Sequence, residues 1–526
     1  MDRTYYSIFN DVLGPVMTGP SSSHSAGCAR IGKTARSLFG REIYRAEIVF
    51  EEKGSYPGTY IGQGSNFGFT GGLMGYSTDD VRLKDAVSIA KAEGRSVSFK
   101  KADLGFHHPN EAEILVYGDS GEVEMTLRTY SVGGGMFLIN EMDGFRVSID
   151  GGEKKVFVLC RTVDSLAETQ QLLTANGIEY VIEQGENGTL VTVNPEYGTD
   201  ISEIEKLREK NGIGYVRVAE PVLPVIRRRD AGIPFFSAKE AYEYHEITGK
   251  QMWEMAIDYE CSLGYVTVDE INEMIDHIAD VMEKSTVAPD ADKTEVTGFL
   301  PYSCRLMEKK IQSRRTVGTG LLGKAMLSAI AVMENSCAHN IIVAAPTAGS
   351  SGVVPAAIVS VGRQLDADDE EIKKALLAAG LVGVFIANQA TFGGEVGACQ
   401  AENGSAAAMA AAGVVQLMGG SAEEGFRAAS AALQNMLGLI CDPIAGLTEI
   451  PCISRNVAAM SNAVMCADMV IAGFDPVIPL DETILTMKKV GEQLPPELRC
   501  TCEGGLCKTP TGCRITECIE KKRPKQ

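Results

Sequence analysis

The sequence predicts a multidomain chain: an α+β N-terminal unit, a small βαββαβ sandwich of ferredoxin-like topology, and a mostly α-helical C-terminal unit. Three observations predict it. At 526 residues the chain is longer than one hydrophobic core organises, since cores stop growing near about 250–300 residues. Short β-type runs and Gly-rich turns fill the first 222 residues, whereas apolar residues after 237 recur at i, i+3, i+4. A stretch with three prolines and a basic run, PVLPVIRRRDAGIPFF at 221–236, separates the two regimes.

The elements follow in order. Residues 1–152 mix YRAEIVF and EILVY with the turn-like runs GQGSNFGFTGGLMG and SVGGG. In 153–222, KVFVLCR reads as a strand and SLAETQQLLTANG as a helix ended by Gly177. IEYVIEQ and TLVTVN read as strands around a GENG turn. DISEIEKLREKNG reads as a helix capped by Asp200 with Gly212 after it, and YVRVAE as the last strand. Residues 223–236 form the linker. From 237 to 526, AYEYHEITGKQMWEMAIDYE, VDEINEMIDHIADVMEKS, DEEIKKALLAAGLVGVFIANQ and SAEEGFRAASAALQNML are amphipathic helices, and their alanines favour close packing in one core.

Bulk composition excludes some functions. A net charge of −20 argues against nucleic acid, whose phosphates need clustered Lys and Arg. The N-terminus MDRTYYSIFNDVLG lacks the apolar segment and cleavage site of a signal peptide. The most apolar runs, at 376–387 and 406–420, are short for a membrane span. A cytoplasmic protein with no membrane partner is expected. Fourteen cysteines are many for a reducing compartment. Cys160 in VFVLC and Cys466 in AVMCADM read as small core hydrophobes, and metal binding is the leading account of the others.

Two stretches carry candidate chemistry. Cys399 in GGEVGACQAENGSAAAM, Cys441 in LGLICDPIAG and Cys452 in EIPCISRN sit in loop-like contexts. None belongs to the tight pair that zinc sites use, and no C-x2-C-x2-C run is present. Three separated thiolates can hold a [4Fe–4S] cluster with one iron open as a Lewis acid, or they are scattered core cysteines; spacing leaves both readings open. Near the N-terminus, Ser21, Ser22, Ser23 and His24 follow a Gly-Pro. They cap a helix, hold an anion or do chemistry.

The words around these residues resemble a known family. APTAGSSGVVPA (345–356), CQAENGSAAAMAAAG (399–413), LQNMLGLICDPIAGLTEIPCISRN (433–456) and GGLCKTPTGCRI (504–515) resemble the catalytic part of the iron–sulfur-dependent L-serine dehydratases. GPVMTGPSSSHSAGCARIGKTAR (14–36) and HPNEAEILVY (108–117) look like their other part. In some bacteria the parts are separate beta and alpha subunits; here they look fused in that order, with an ACT-like unit at 153–222. The resemblance implies that Cys399, Cys441 and Cys452 ligate a [4Fe–4S] cluster. It implies α,β-elimination of L-serine to pyruvate and ammonia without pyridoxal phosphate, so Lys324 reads as structural. It places the Ser21–His24 loop at the active site, with Ser22, Ser23, His24 and His108 as catalytic candidates. Ser21, Thr347, Ser350 and Ser351 are candidates to hold the substrate carboxylate. A homodimer is expected, with an ACT-like unit that binds amino acid or mediates dimer contacts.

The chain departs from the family at two places. Gln63 in GQGSN stands where the family has a histidine, and glutamine cannot act as a base. That leaves His24 and His108; His107, His245, His277 and His339 read as weaker. The tail crowds Cys500, Cys502, Cys507, Cys513 and Cys518 around the GGL-x-x-TPTG motif. In some single-chain relatives a C-terminal cysteine occupies the open iron; a second metal site, a redox-sensitive tail and an exposed tail of no defined role are the other readings. The competing functions are a cysteine desulfidase, a lyase for another β-substituted amino acid including L-threonine, and a non-catalytic amino-acid sensor.

Overall fold

The computed structural model describes residues 5–289, 300–318 and 320–522. A short strand, β1 (Val16–Thr18), precedes a six-stranded sheet. That sheet comprises β2 (Arg45–Glu51), β3 (Ser96–Ala102), β4 (Glu111–Tyr117), β5 (Val123–Gly133), β6 (Met136–Met142) and β7 (Phe145–Ile149). Its order is β3-β2-β4-β5-β6-β7, with β2 and β3 parallel and the other neighbours antiparallel. Alternation in β4 puts Ala112, Ile114 and Val116 on the buried face. The helices Gly27–Phe39 and Ser65–Leu73 pack with the sheet in one core. The Gly-rich run read as a turn is therefore helical over Ser65–Leu73. Its glycines serve close approach: a Cβ on Gly72 would lie 2.2 Å from the Ala29 carbonyl oxygen, and one on Gly32 would lie 2.8 Å from the Leu73 nitrogen.

A second sheet follows, with β8 (Lys155–Cys160), β9 (Tyr180–Gly185), β10 (Gly188–Val193) and β11 (Ile213–Ala219) in the antiparallel order β11-β8-β10-β9. Strand β8 is buried on both faces, which explains its unbroken apolar run VFVLC. Phe157 and Leu159 join the core of the first sheet, while Val156, Val158 and Cys160 pack under the helix Val163–Ala175. The helix expected from Asp200 to Gly212 is shorter. It makes one turn, Ser202–Glu205, and tightens into a 3₁₀ turn, Lys206–Glu209. Ile204 and Leu207 supply its buried contacts, and their i, i+3 spacing suits a 3₁₀ turn.

The C-terminal region is mostly helical. Its centre is the helix pair Asp369–Gln389 and Ser405–Leu417, surrounded by Met252–Leu263, Val268–Ser285, Leu321–Cys337, Ala422–Gln434 and Cys452–Ile471. The start of the chain is built into this core. Ile8 and Val12 press on Asp369–Gln389 where Gly380 and Gly383 leave room; a Cβ there would meet them at 2.6 and 2.1 Å. Glu260 accepts hydrogen bonds from the Ser7 hydroxyl (2.8 Å) and the Ile8 N–H (2.5 Å). Asn10 exchanges two hydrogen bonds with Val225 of the linker, 2.8 and 2.9 Å. Strand β1 then pairs antiparallel with β12 (Ile341–Val343). Among the described residues no single helix is long and apolar enough to cross a membrane. One pair bent by 85°, Asp369–Gln389 with Gly394–Leu417, has the length and composition, and its residues form the protein core.

Candidate metal centre and active site

Three loops converge at helix ends. Cys399 closes the short helix Gly394–Cys399, after Ala398 in a left-handed conformation (φ 61°). A π-helical turn, Gln400–Gly404, follows and places Glu402 three residues on. Cys441 lies on an irregular strand bridged to Arg499, and Cys452 is the first residue of the helix Cys452–Ile471. The ligand atoms of Cys399, Glu402 and Cys441 all lie within 4.8 Å of one another. Both thiols face the same carboxylate oxygen, with Cys399 Sγ 3.8 Å and Cys441 Sγ 3.9 Å from Glu402 Oε2. The Cys452 thiol is pushed well up by burial and then by Cys399 and Glu402. Cys500 joins from the tail: its N–H donates to the Cys441 carbonyl at 2.9 Å, and its thiol pushes that of Cys441 up.

Among the described residues, one cation faces this group. Arg455, one turn along the helix from Cys452, reaches Cys399 Sγ at 3.5 Å, donates to the Ile440 carbonyl at 2.9 Å and pairs with buried Asp442 at 2.8 Å. Asn456 ties the same helix to the loop 346–352. Its Oδ1 accepts from the Gly352 N–H at 2.9 Å, and its Nδ2 donates to the Gly349 carbonyl at 2.8 Å. Thr347 in that loop donates from Oγ1 to Glu402 Oε1 at 2.9 Å. Glycines make room for this carboxylate: a Cβ on Gly349 or Gly394 would lie 2.8 Å from one of its oxygens. Desolvation pushes the Glu402 carboxyl up to about 7.

The sequence-derived candidates divide. Thr347 reaches Glu402. Ser350 and Ser351 are fully buried and bond within their loop, Ser350 to the Ala345 carbonyl (3.2 Å) and Ser351 to the Ala348 carbonyl (2.9 Å). Ser21 caps the helical turn Ser22–Ala26, and Ser23 Oγ lies 2.9 Å from His24 Nδ1. His24 Nε2 pairs with Ser55 Oγ at 3.1 Å, and Ser22 is buried beside them. From Ser55 the chain runs on to Gln63, whose Nε2 donates to the Gly446 carbonyl at 2.6 Å, inside the loop joining Cys441 to Cys452. The Ser-His turn and the thiol group are thus linked through Ser55–Gln63. His108 stands apart, accepting from the Asn110 N–H at 3.0 Å beside the Tyr130 ring. His107 contacts Glu111, His245 the Lys250 carbonyl, and His339 the Phe67 ring.

Sequence reasoning missed Glu402, Arg455, Asp442 and Asn456. A signal existed for two of them: Glu402 and Arg455 each follow a cysteine by three residues, the spacing that shares one helix face.

Burial lowers His24 to about 3, so the ring is neutral in the folded protein near pH 7. The unfolded chain takes up a proton below its ordinary value near 6.5, and the folded protein refuses it. The stabilisation is complete above that value and is lost as pH falls toward the folded one, by about 1.4 kcal/mol per unit. Between pH 6.5 and 5 the wild type is expected to lose roughly 2 kcal/mol more unfolding free energy than His24→Asn. Urea unfolding at the two pH values measures this, and equal losses would contradict it.

Comparison with known proteins adds to this geometry. The family profile described as "Serine dehydratase alpha chain" matches residues 240–507. The "Probable L-serine dehydratase, alpha chain" of Bacillus subtilis (strain 168) is 38% identical over 278 residues, 53% of this chain and 93% of that protein. The "Probable L-serine dehydratase, beta chain" of the same organism is 44% identical over 155 residues, 30% of this chain and 68% of that one. The "L-serine dehydratase" of Streptomyces coelicolor matches at 27% over 529 aligned positions, 95% of this chain and 98% of its own length.

Proposed function

The chain belongs to the serine dehydratase alpha-chain family, and from that premise we propose that it is an L-serine ammonia-lyase that eliminates water from L-serine to give pyruvate and ammonia. The observation that carries this reading is the convergence of Cys399 and Cys441 on Glu402, with Arg455, one turn along the helix from Cys452, reaching Cys399. We take the units to be 1–152, 153–222 with an ACT-like role, and 237–526 beyond the linker 223–236. The exposed edge strand β9, with Val181 and Ile182 outward, supports pairing of two chains in a homodimer. Fourteen free cysteines suit a reducing cytoplasm.

The donor set fits an iron–sulfur cluster. Its thiols are soft ligands, and a guanidinium faces them. Buried thiols crowded this way resist deprotonation, and a bound cationic cluster offsets their mutual repulsion. Cys399, Cys441 and Cys452 would hold a [4Fe–4S] cluster, which when bound supplies a Lewis-acid iron that assists departure of the serine hydroxyl.

The chain's own residues supply the rest. The Ser21–Ser23 turn receives the substrate carboxylate through hydroxyl and N–H donors, while Thr347 keeps its hydroxyl proton on Glu402. Ser350 and Ser351 hold the loop that presents Thr347. Glu402 takes the Cα proton at a carboxylate oxygen, oriented by Thr347 Oγ1. Neutral His24, fixed between Ser23 and Ser55, relays protons through those hydroxyls. The aminoacrylate released tautomerises and hydrolyses to pyruvate and ammonia.

The test is anaerobic purification with iron, sulfide and the visible spectrum measured beside keto-acid formation from L-serine, L-threonine and L-cysteine. A four-iron cluster with pyruvate from L-serine is expected. Sulfide release from L-cysteine with no turnover of L-serine would replace this reading with the desulfidase.

A further inference from the structure

The proposed chemistry leaves all five tail thiols unused, and two of them share one acceptor. The tail folds back over the loop 441–443. The Cys441 N–H donates to the Leu498 carbonyl at 2.9 Å, and the Leu506 N–H donates to Asp442 Oδ2 at 2.7 Å. Gly505, at φ 58°, lies so near that a Cβ there would be 2.3 Å from the same carboxylate. On this strap, Cys502 Sγ donates to the Pro443 carbonyl at 3.3 Å and Cys507 Sγ to the same oxygen at 3.1 Å. The two sulfurs thus converge on one carbonyl oxygen. Cys502 is partly exposed and Cys507 is buried. The other three tail thiols are not in this arrangement: Cys500 lies against Cys441, Cys513 Sγ points at the Cys507 carbonyl, 3.6 Å away, and Cys518 is exposed on the last helix.

We infer that Cys502 and Cys507 are a reversible oxidative modification site, forming an intrachain disulfide with a low-molecular-weight disulfide as the oxidant. The reaction is two exchanges. The Cys502 thiolate attacks one sulfur of the small disulfide, forming a mixed disulfide and expelling one small thiolate. The Cys507 thiolate then attacks Cys502 Sγ, closing the intrachain bond and expelling the second. The two protons lost by the cysteines end on the two small thiols, and the small disulfide is the species reduced. The exposures match these roles, since the attacking sulfur must meet the oxidant and the resolving sulfur need meet only Cys502. The Cys507 thiol beside it lowers the pKa of Cys502, which favours attack.

Closing the bond removes both S–H donors from Pro443, two residues from Cys441. The oxidised tail therefore loosens the loop that carries a cluster ligand. The disulfide does not depend on the proposed reaction; its effect on iron does.

The experiment treats anaerobic holoprotein with oxidised glutathione, alkylates free thiols and maps peptides by mass spectrometry. A Cys502–Cys507 link that dithiothreitol reverses is expected. Cys507→Ser is expected to retain one glutathione on Cys502, and Cys502→Ser to leave Cys507 unmodified. Two free thiols after treatment, or a link from Cys500 or Cys513 instead, would overturn the site whatever the enzyme's activity. Iron release to an external chelator is expected to rise several-fold on oxidation in the wild type and not in Cys502→Ser. An unchanged rate would sever the link to the cluster loop.

Discussion

Serine in place of Cys399, Cys441 or Cys452 is expected to lower pyruvate formation from L-serine by on the order of a thousandfold and to lower bound iron in the same samples. The three cysteines come from three separate loops, so no residue of the same loop can replace a lost thiolate. A serine hydroxyl is harder and far less acidic than a thiol, and a buried site disfavours its anion further. Cys466→Ser is the control. That thiol is buried on the same helix as Cys452 but packs in the helical core, so its variant is expected to keep iron and turnover. Arg455→Lys is intermediate, since it keeps the charge but not the fork that joins Cys399, Ile440 and Asp442; about a 10–100-fold fall is expected. Iron content beside anaerobic initial rates decides the matter. Full iron and rate in Cys452→Ser would remove it from the ligand set.

Glu402→Gln is the second large effect. It is nearly isosteric, keeps an acceptor for Thr347 and cannot take a proton, so kcat is expected to fall by about 10²–10⁴ with iron retained. Thr347→Val removes the hydroxyl that orients the carboxylate and is expected to cost about tenfold. Iron and kcat together separate the roles: a base variant keeps iron and loses turnover, whereas a ligand variant loses both. A kcat within threefold of wild type in Glu402→Gln would return the proton to His24.

The helices of the C-terminal region were legible because their apolar residues repeat over four or more turns, as in Asp369–Gln389 and Val268–Ser285. The cysteines were legible through the words around them more than through spacing. Glu402 and Arg455 were hidden for a physical reason: a charged residue near a helix end reads as a solvated one until its neighbours are known. The Gly-rich run at 62–75 misled because glycine marks both turns and close helix crossings, and only the facing Ala29 carbonyl distinguishes them. Ser350 and Ser351 showed a loop of small polar residues, but not that their hydroxyls turn inward. Nothing local announced that Ile8 and Val12 belong to the helical core, since their partners lie more than three hundred residues away.

That distant pairing has a consequence for synthesis. The segment Ile8–Leu13 leaves the ribosome well before its seat at Gly380 and Gly383, which is made about 370 residues later. At roughly 5–20 residues per second the segment waits on the order of 20–75 seconds with its apolar side chains uncovered. The sheets at 45–219 can form meanwhile, because their strands pair within their own stretch of chain. The helical core closes only when those earlier-made residues return to it. Slowing translation after residue 219 is therefore expected to prolong exposure of one short apolar plug, and a holdase that grips such plugs would act on this chain at Ile8–Leu13.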